Sequence, residues 1–281
     1  MNVHLISGFI PASDQYKRQT MVQIGVIGTG SMGGMLVRTF IESRAAAPEE
    51  IIAYNRTTSR ATALSRETGI RIGRDCQDVA REAGVVFLCV RPCEVKDVLR
   101  ELGDALSSQI LLISIAAEVP LADLHAWTDA RVVRVIPTLT SEVLKGASLV
   151  AFGERATAAD RDLVRTLLKA IGRAVEVEEE AFELLTLLTS CGPAFIAAMM
   201  KEFAAAAVRR GAVSPALADL LVTETLAGTA GLLEKEESSF DEVISRVATE
   251  GGITAKGVAV ISEEGPRVFD AMIAAALGEE E

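Results

Sequence analysis

The segment Gly28-Thr29-Gly30-Ser31-Met32-Gly33 constrains this chain more than any other. It follows the apolar run Ile24 to Ile27 and opens a helical stretch, MLVRTFIES. The three glycines have separate tasks at this spacing. Gly28 permits a tight strand-to-helix turn, Gly30 lets a backbone approach a diphosphate, and Gly33 lets helix and strand pack closely. The N–H groups of the first helical turn then face an anion. A lone pattern of this kind is weak. Here it stands between a strand and a helix, with a second strand, IIAYNR, at the expected distance. The reading is a dinucleotide-binding turn, with a plain structural turn as the alternative.

The end of the second strand selects the cofactor. An NAD enzyme places Asp or Glu there, bonded to the ribose 2′-hydroxyl. This chain reads Tyr54-Asn55-Arg56-Thr57-Thr58-Ser59-Arg60, with no carboxylate. Arg56 with its hydroxyl neighbours suits a 2′-phosphate. The expected cofactor is therefore NADPH, with NADH less favoured; the bland alternative makes Arg56 and Arg60 ordinary surface residues. Ligands of open α/β sheets sit beyond the carboxyl ends of strands. That rule puts Val90, Arg91 and Pro92, after GVVFLC, and Ala116-Ala117, after ILLIS, along the same groove.

From Met21 to about Val177, short runs rich in Val, Ile and Leu alternate with helical stretches: VQIGVIG, IIAYNR, GVVFLCVRP, ILLISIA, VVRVIP, SLVAFG and AVEVE. Continuous apolar runs suit strands covered on both faces, and the alternation implies right-handed crossovers in a parallel sheet. From about Glu178 the β-branched runs give way to Ala, Leu, Glu and Met in helical patterns, with helix starts at Ser214-Pro215 and Ser239. The fold class is α/β: a Rossmann-type dinucleotide-binding domain over 21–177, then an all-α domain over 178–281, preceded by a poorly ordered extension at 1–20. The helical part is apolar on more than one side (AFIAAMM, AAAAV), so a partner subunit is expected to supply part of its core.

Composition removes other classes. Lys plus Arg number 28 against 39 Asp plus Glu, a net charge of −11. That balance argues against nucleic acid, which is held by a cationic surface. Aromatic residues are only 4%, which argues against base stacking. The two histidines, His4 and His125, are too few and too distant for a metal site. Cys76, Cys89, Cys93 and Cys191 form no CxxC pair and read as reduced thiols of a cytoplasmic protein. No secretory signal is visible. The run Leu184 to Met200 approaches membrane-spanning length but holds Gly192-Pro193 at its centre, and reads as a broken buried helix rather than a span.

The order of VIGTGSMG, NRT, FLCVRP, VVRVIP with KGASLVAFG, SCGPAF and EGGITAKG resembles the pyrroline-5-carboxylate reductase family from Val22 to Leu277. The resemblance implies an NADPH-dependent reductase, a Rossmann domain with a helical dimerisation domain, and a homodimer or larger homo-oligomer. By position it implies that Gly28, Thr29, Gly30, Ser31 and Met32 hold the pyrophosphate, and Asn55, Arg56 and Thr57 the 2′-phosphate. Val90, Arg91, Pro92 and Ala116 would flank the nicotinamide. Gly251, Gly252 and Thr254 would hold the carboxylate and ring of a small cyclic imine, with Thr254 as the catalytic candidate near the ring nitrogen.

This chain departs from the family pattern on the substrate side. Ile136-Pro137-Thr138-Leu139-Thr140 stands for the family's MPNTP, Thr189 to Phe195 for SGSGPAY, and Thr249-Glu250-Gly251-Gly252-Ile253-Thr254 for SPGGTT. Lys201 falls on a family acidic position. The variant pattern is similar to the late competence protein ComER branch. Two functional expectations follow from the resemblance: reduction of 1-pyrroline-5-carboxylate to L-proline, or a ComER-like NADP-binding protein with another imine substrate or a regulatory role. A hydroxyacid-dehydrogenase reading would need an Asn one turn from Lys201, which is absent.

Overall fold

A computed structural model describes residues 23–235 and 238–279. The extension expected at 1–20 lies outside them. The chain divides into two compact units between Glu179 and Glu180.

The first unit contains β1 (Ile24–Ile27), α1 (Ser31–Glu42), β2 (Ile51–Tyr54), α2 (Thr58–Thr68), β3 (Arg71–Ile72), α3 (Cys76–Glu82), β4 (Val85–Leu88) and α4 (Pro92–Leu102). It continues with β5 (Leu111–Ser114), α5 (Leu121–Trp127), β6 (Arg131–Ile136), β7 (Gly146–Phe152), α6 (Ala158–Ala170) and β8 (Gly172–Glu176). The strands form one sheet in the order β3-β2-β1-β4-β5-β6-β7-β8. β1, β2, β4 and β5 are almost wholly buried because helices cover both faces. One face carries Leu36 and Phe40 of α1 with Val164 and Leu168 of α6; the other carries Val79, Val95, Leu99 and Leu124 of α3, α4 and α5. Strand order reverses at β1, between β2 and β4, and such a reversal opens a crevice at the carboxyl edge.

Two features differ from the fully parallel expectation. β7 runs antiparallel to β6, with Ile136 opposite Leu149. Residues 137–145 hold only a 3-10 turn at Leu139–Val143, and a parallel return takes about a dozen residues or more. β3 is a two-residue edge strand with exposed side chains, too short and too polar to register as an apolar run.

Arg134 on β6 points into the unit and is 4% exposed. Its guanidinium pairs with Glu179 and donates to the Ala117 carbonyl. Glu179 also accepts the Leu121 N–H at 2.8 Å. The carboxylate is thus engaged sideways, in place of the helix-dipole role its position before a helix suggests. Removing the buried Arg134 leaves the Glu179 carboxylate, 25% exposed, without its cation. Arg134→Ala is expected to destabilise the protein by roughly 3–5 kcal/mol and lower Tm by roughly 6–12 °C or more in a thermal melt. A shift below about 2 °C would show that the pair is dispensable.

The second unit is helical: α7 (Phe182–Thr189), α8 (Gly192–Val208), α9 (Pro215–Lys235), α10 (Phe240–Val247) and α11 (Ile253–Leu277). Ser239 caps α10 reciprocally with Glu242. The run from Leu184 does break at Ser190-Cys191, but within one chain it is not buried: Leu188 is 63% exposed, and Phe203 farther along α8 is 61% exposed. Glu179–Val208 and Pro215–Lys235 are long and apolar enough to cross a membrane by length and composition alone. α11 runs through Pro266 without ending there.

Candidate functional site

The crevice beside β1 opens into a groove of about 540 Å³. Its floor is the glycine bend. Gly28 has φ +99°, and a Cβ there would stand 2.2 Å from the Cys89 carbonyl oxygen. A Cβ on Gly33 would stand 1.9 Å from the Gly28 carbonyl oxygen. These two positions lock the bend against β4 and against itself. Gly30 is different: it lines the groove, and a Cβ there meets nothing within 4 Å.

α1 begins without a side-chain cap, and its first helical bond runs from the Gly34 N–H to the Gly30 carbonyl at 2.9 Å. The amides of Ser31, Met32 and Gly33 precede that bond, so no helical carbonyl satisfies them. Thr29 Oγ1 is buried without a hydrogen-bond partner. An open Cβ position, uncapped amides and an orphaned hydroxyl together fit a bound diphosphate.

Asn55 holds the bend in place. Its Oδ1 accepts the Thr29 N–H at 2.9 Å, and its Nδ2 donates to the Thr57 carbonyl at 3.0 Å. The groove walls gather Gly28, Gly30, Asn55, Arg56, Thr57, Val90 and Arg91. Thr29, Ser31 and Met32 continue the bend into α1, Pro92 starts α4, and Ala116 is buried just beyond β5. Gly251, Gly252 and Thr254 lie in the second unit, where Gly251 has φ +74° and Gly252 caps α11. His125 turns its ring inward against Gly153, where a Cβ would stand 2.4 Å from Nε2, so the imidazole is a packing group rather than a groove residue.

Residue-by-residue reading missed the acidic face of α4. Glu94, Asp97 and Glu101 line the groove with Arg60. Their spacing puts them along one helix face, and α4 directly follows the carboxyl end of β4, so the signal was present but unused. Glu94 Oε1 accepts from both Arg56 Nη2 at 2.8 Å and Arg91 Nη2 at 2.9 Å. The Arg91 guanidinium, bonded side-on, holds the Glu94 carboxyl down at about 2. The lowered value makes the stabilisation whole above the ordinary 4.5, and it is lost as pH falls toward about 2. Burial pushes the thiols of Cys76 and Cys89 up to about 12, so neither is a nucleophile here.

The fold and groove define a nicotinamide-nucleotide-dependent oxidoreductase of the Rossmann type. The family model described as NADP oxidoreductase coenzyme F420-dependent matches residues 23–118, and that described as pyrroline-5-carboxylate reductase dimerisation matches residues 179–281. Pyrroline-5-carboxylate reductase 3 of Bacillus subtilis is 35% identical, over 89% of this chain and 92% of that protein. ComE operon protein 4 of the same organism is 32% identical, over 84% and 87%. The solved pyrroline-5-carboxylate reductase of Coxiella burnetii superposes with a TM-score of 0.86 at 28% identity, covering 92% of this chain and 97% of that one. The chain belongs to the pyrroline-5-carboxylate reductase family, and its relatives include ComE operon protein 4 as well as the reductases.

Proposed function

We propose that this protein reduces 1-pyrroline-5-carboxylate to L-proline with NADPH, acting as a cytoplasmic homodimer. The observation that carries the reading is the glycine cradle, with its open Gly30 and uncapped α1 amides, beside the Arg56 guanidinium. The dimer is supported by the dimerisation-domain match and by apolar side chains such as Leu188, Phe203 and Ile253 left in solvent by one chain. The cytoplasmic placement is supported by four free cysteines.

When bound, the nicotinamide supplies hydride for the carbon of the C=N bond, and a proton adds at nitrogen. The protein's share is binding and orientation. Gly28, Thr29, Gly30, Ser31 and Met32 hold the diphosphate through backbone amides. Arg56 and Thr57 meet the 2′-phosphate, while Asn55 fixes both loops. Val90, Arg91, Pro92 and Ala116 flank the reacting ring. In the second unit, the Gly251-Gly252 turn and the open amides at the start of α11 hold the substrate carboxylate, the Gly252 N–H itself being taken by the Thr249 carbonyl at 3.0 Å, and Thr254 is the catalytic candidate at the ring nitrogen. A protonated imine is already electrophilic, so no strong general base is required.

A second reading is favoured by one observation. The changes at Ile136–Thr140, Thr189–Phe195 and Thr249–Thr254 all fall on the substrate side, and ComE operon protein 4 is a relative. Under it the protein binds NADP but acts on another imine or serves in regulation. NADPH oxidation with pyrroline-5-carboxylate, proline formation, and nucleotide binding by calorimetry separate the two. Stoichiometric proline is expected. Binding without turnover moves the assignment to the second reading, and absence of nucleotide binding overturns both.

A further inference from the structure

The end of β2 offers no carboxylate to a ribose, and Asn55 there has its Oδ1 and one N–H committed to the backbone. The carboxylate nearest to Arg56 comes from another element, α4. Glu94 is the anchored member of the group: its side chain is 22% exposed, against 80% for Arg56 and 72% for Arg91. Oε2 accepts Arg91 Nε at 3.1 Å and the Arg91 backbone N–H at 3.3 Å, while Oε1 is shared by both guanidiniums. Arg56 is therefore an exposed cation tethered to a fixed anion.

We propose that Glu94 is a specificity-determining residue of the groove, a counterweight to Arg56 that reduces discrimination between NADPH and NADH. The proposal rests on the dinucleotide reading above. A 2′-phosphate must either draw Arg56 away from Glu94 or share it while facing the carboxylate charge. Either route opposes the phosphate, and neither opposes an unphosphorylated ribose. Asp97 and Glu101 on the same face add to the opposition. Without Glu94 the exposed Arg56 would favour NADPH more strongly than it does here.

Glu94→Gln tests this while preserving the fold, because glutamine can also accept the Arg91 N–H at the start of α4. Calorimetry on the full chain uses NADPH and NADH, with 2′,5′-ADP and 5′-AMP as probes lacking the nicotinamide. Removing one charge beside a doubly charged phosphate is worth about tenfold at a solvated site. Glu94→Gln is expected to tighten NADPH and 2′,5′-ADP by about five- to tenfold, with NADH and 5′-AMP moving less than about twofold. Glu94→Asp, which keeps the charge, is expected to stay within about threefold of the parent for every probe. Equal shifts for phosphorylated and unphosphorylated probes would assign Glu94 a structural role and overturn the proposal. Weaker 2′,5′-ADP binding would overturn it too, by showing that Glu94 preorganises Arg56. If the parent protein binds all four probes, failure of this pattern leaves the dinucleotide reading standing; if it binds none, both readings fall.

Discussion

Gly30→Ala is expected to weaken nucleotide binding severely while leaving the fold untouched, and Gly33→Ala to do damage of the opposite kind. The Cβ at Gly30 meets no protein atom within 4 Å, and the residue faces the groove, so the methyl occupies the space a diphosphate needs. Calorimetry should show NADPH affinity reduced by about 100-fold, equivalent to roughly 2.7 kcal/mol, with Tm unchanged within about 2 °C. At Gly33 the methyl would lie 1.9 Å from the Gly28 carbonyl oxygen and 3.0 Å from Cys89 Cβ. A backbone oxygen cannot rotate aside like a side chain, so the loop and α1 must separate. The expected loss is about 3 kcal/mol of stability, seen in a denaturant melt. If Gly30→Ala bound NADPH normally, the cradle would not be the diphosphate site.

Arg56→Ala should weaken NADPH by about 10- to 100-fold, because a charge-assisted contact is lost. NADH should change by less than about threefold, since an unphosphorylated ribose has no such contact. Arg56 is 80% exposed and outside the core, so the melting temperature should hold within about 2 °C. Equal losses for both nucleotides would remove Arg56 from the 2′-phosphate assignment. The ratio, rather than either affinity alone, is the quantity to measure.

The reasons some elements could be read from the sequence are physical. β1, β2, β4 and β5 are four-residue runs almost wholly buried, and burial demanded apolar or small residues, Ser114 being the polar exception. The glycine bend was legible because backbone geometry admits few residue types there. β3 was not, because an exposed two-residue edge leaves no apolar signature. The direction of β7 is unreadable from its own residues; only the shortness of 137–145 carried it. Arg56 was visible as a cation near the groove, whereas its tether to Glu94 joins positions 38 residues apart, which no local pattern encodes.

The bend is held by contacts of backbone against backbone, Gly28 on the Cys89 carbonyl and Gly33 on that of Gly28. Gly28 and Gly33 therefore have almost no mutational freedom. The side chains beside it, Arg56 and Arg91, stand largely in solvent and contribute little to the core. Substitutions at Arg56 and Arg91 are therefore expected to leave the melting temperature nearly unchanged, whereas a side chain added at Gly28 or Gly33 must move backbone.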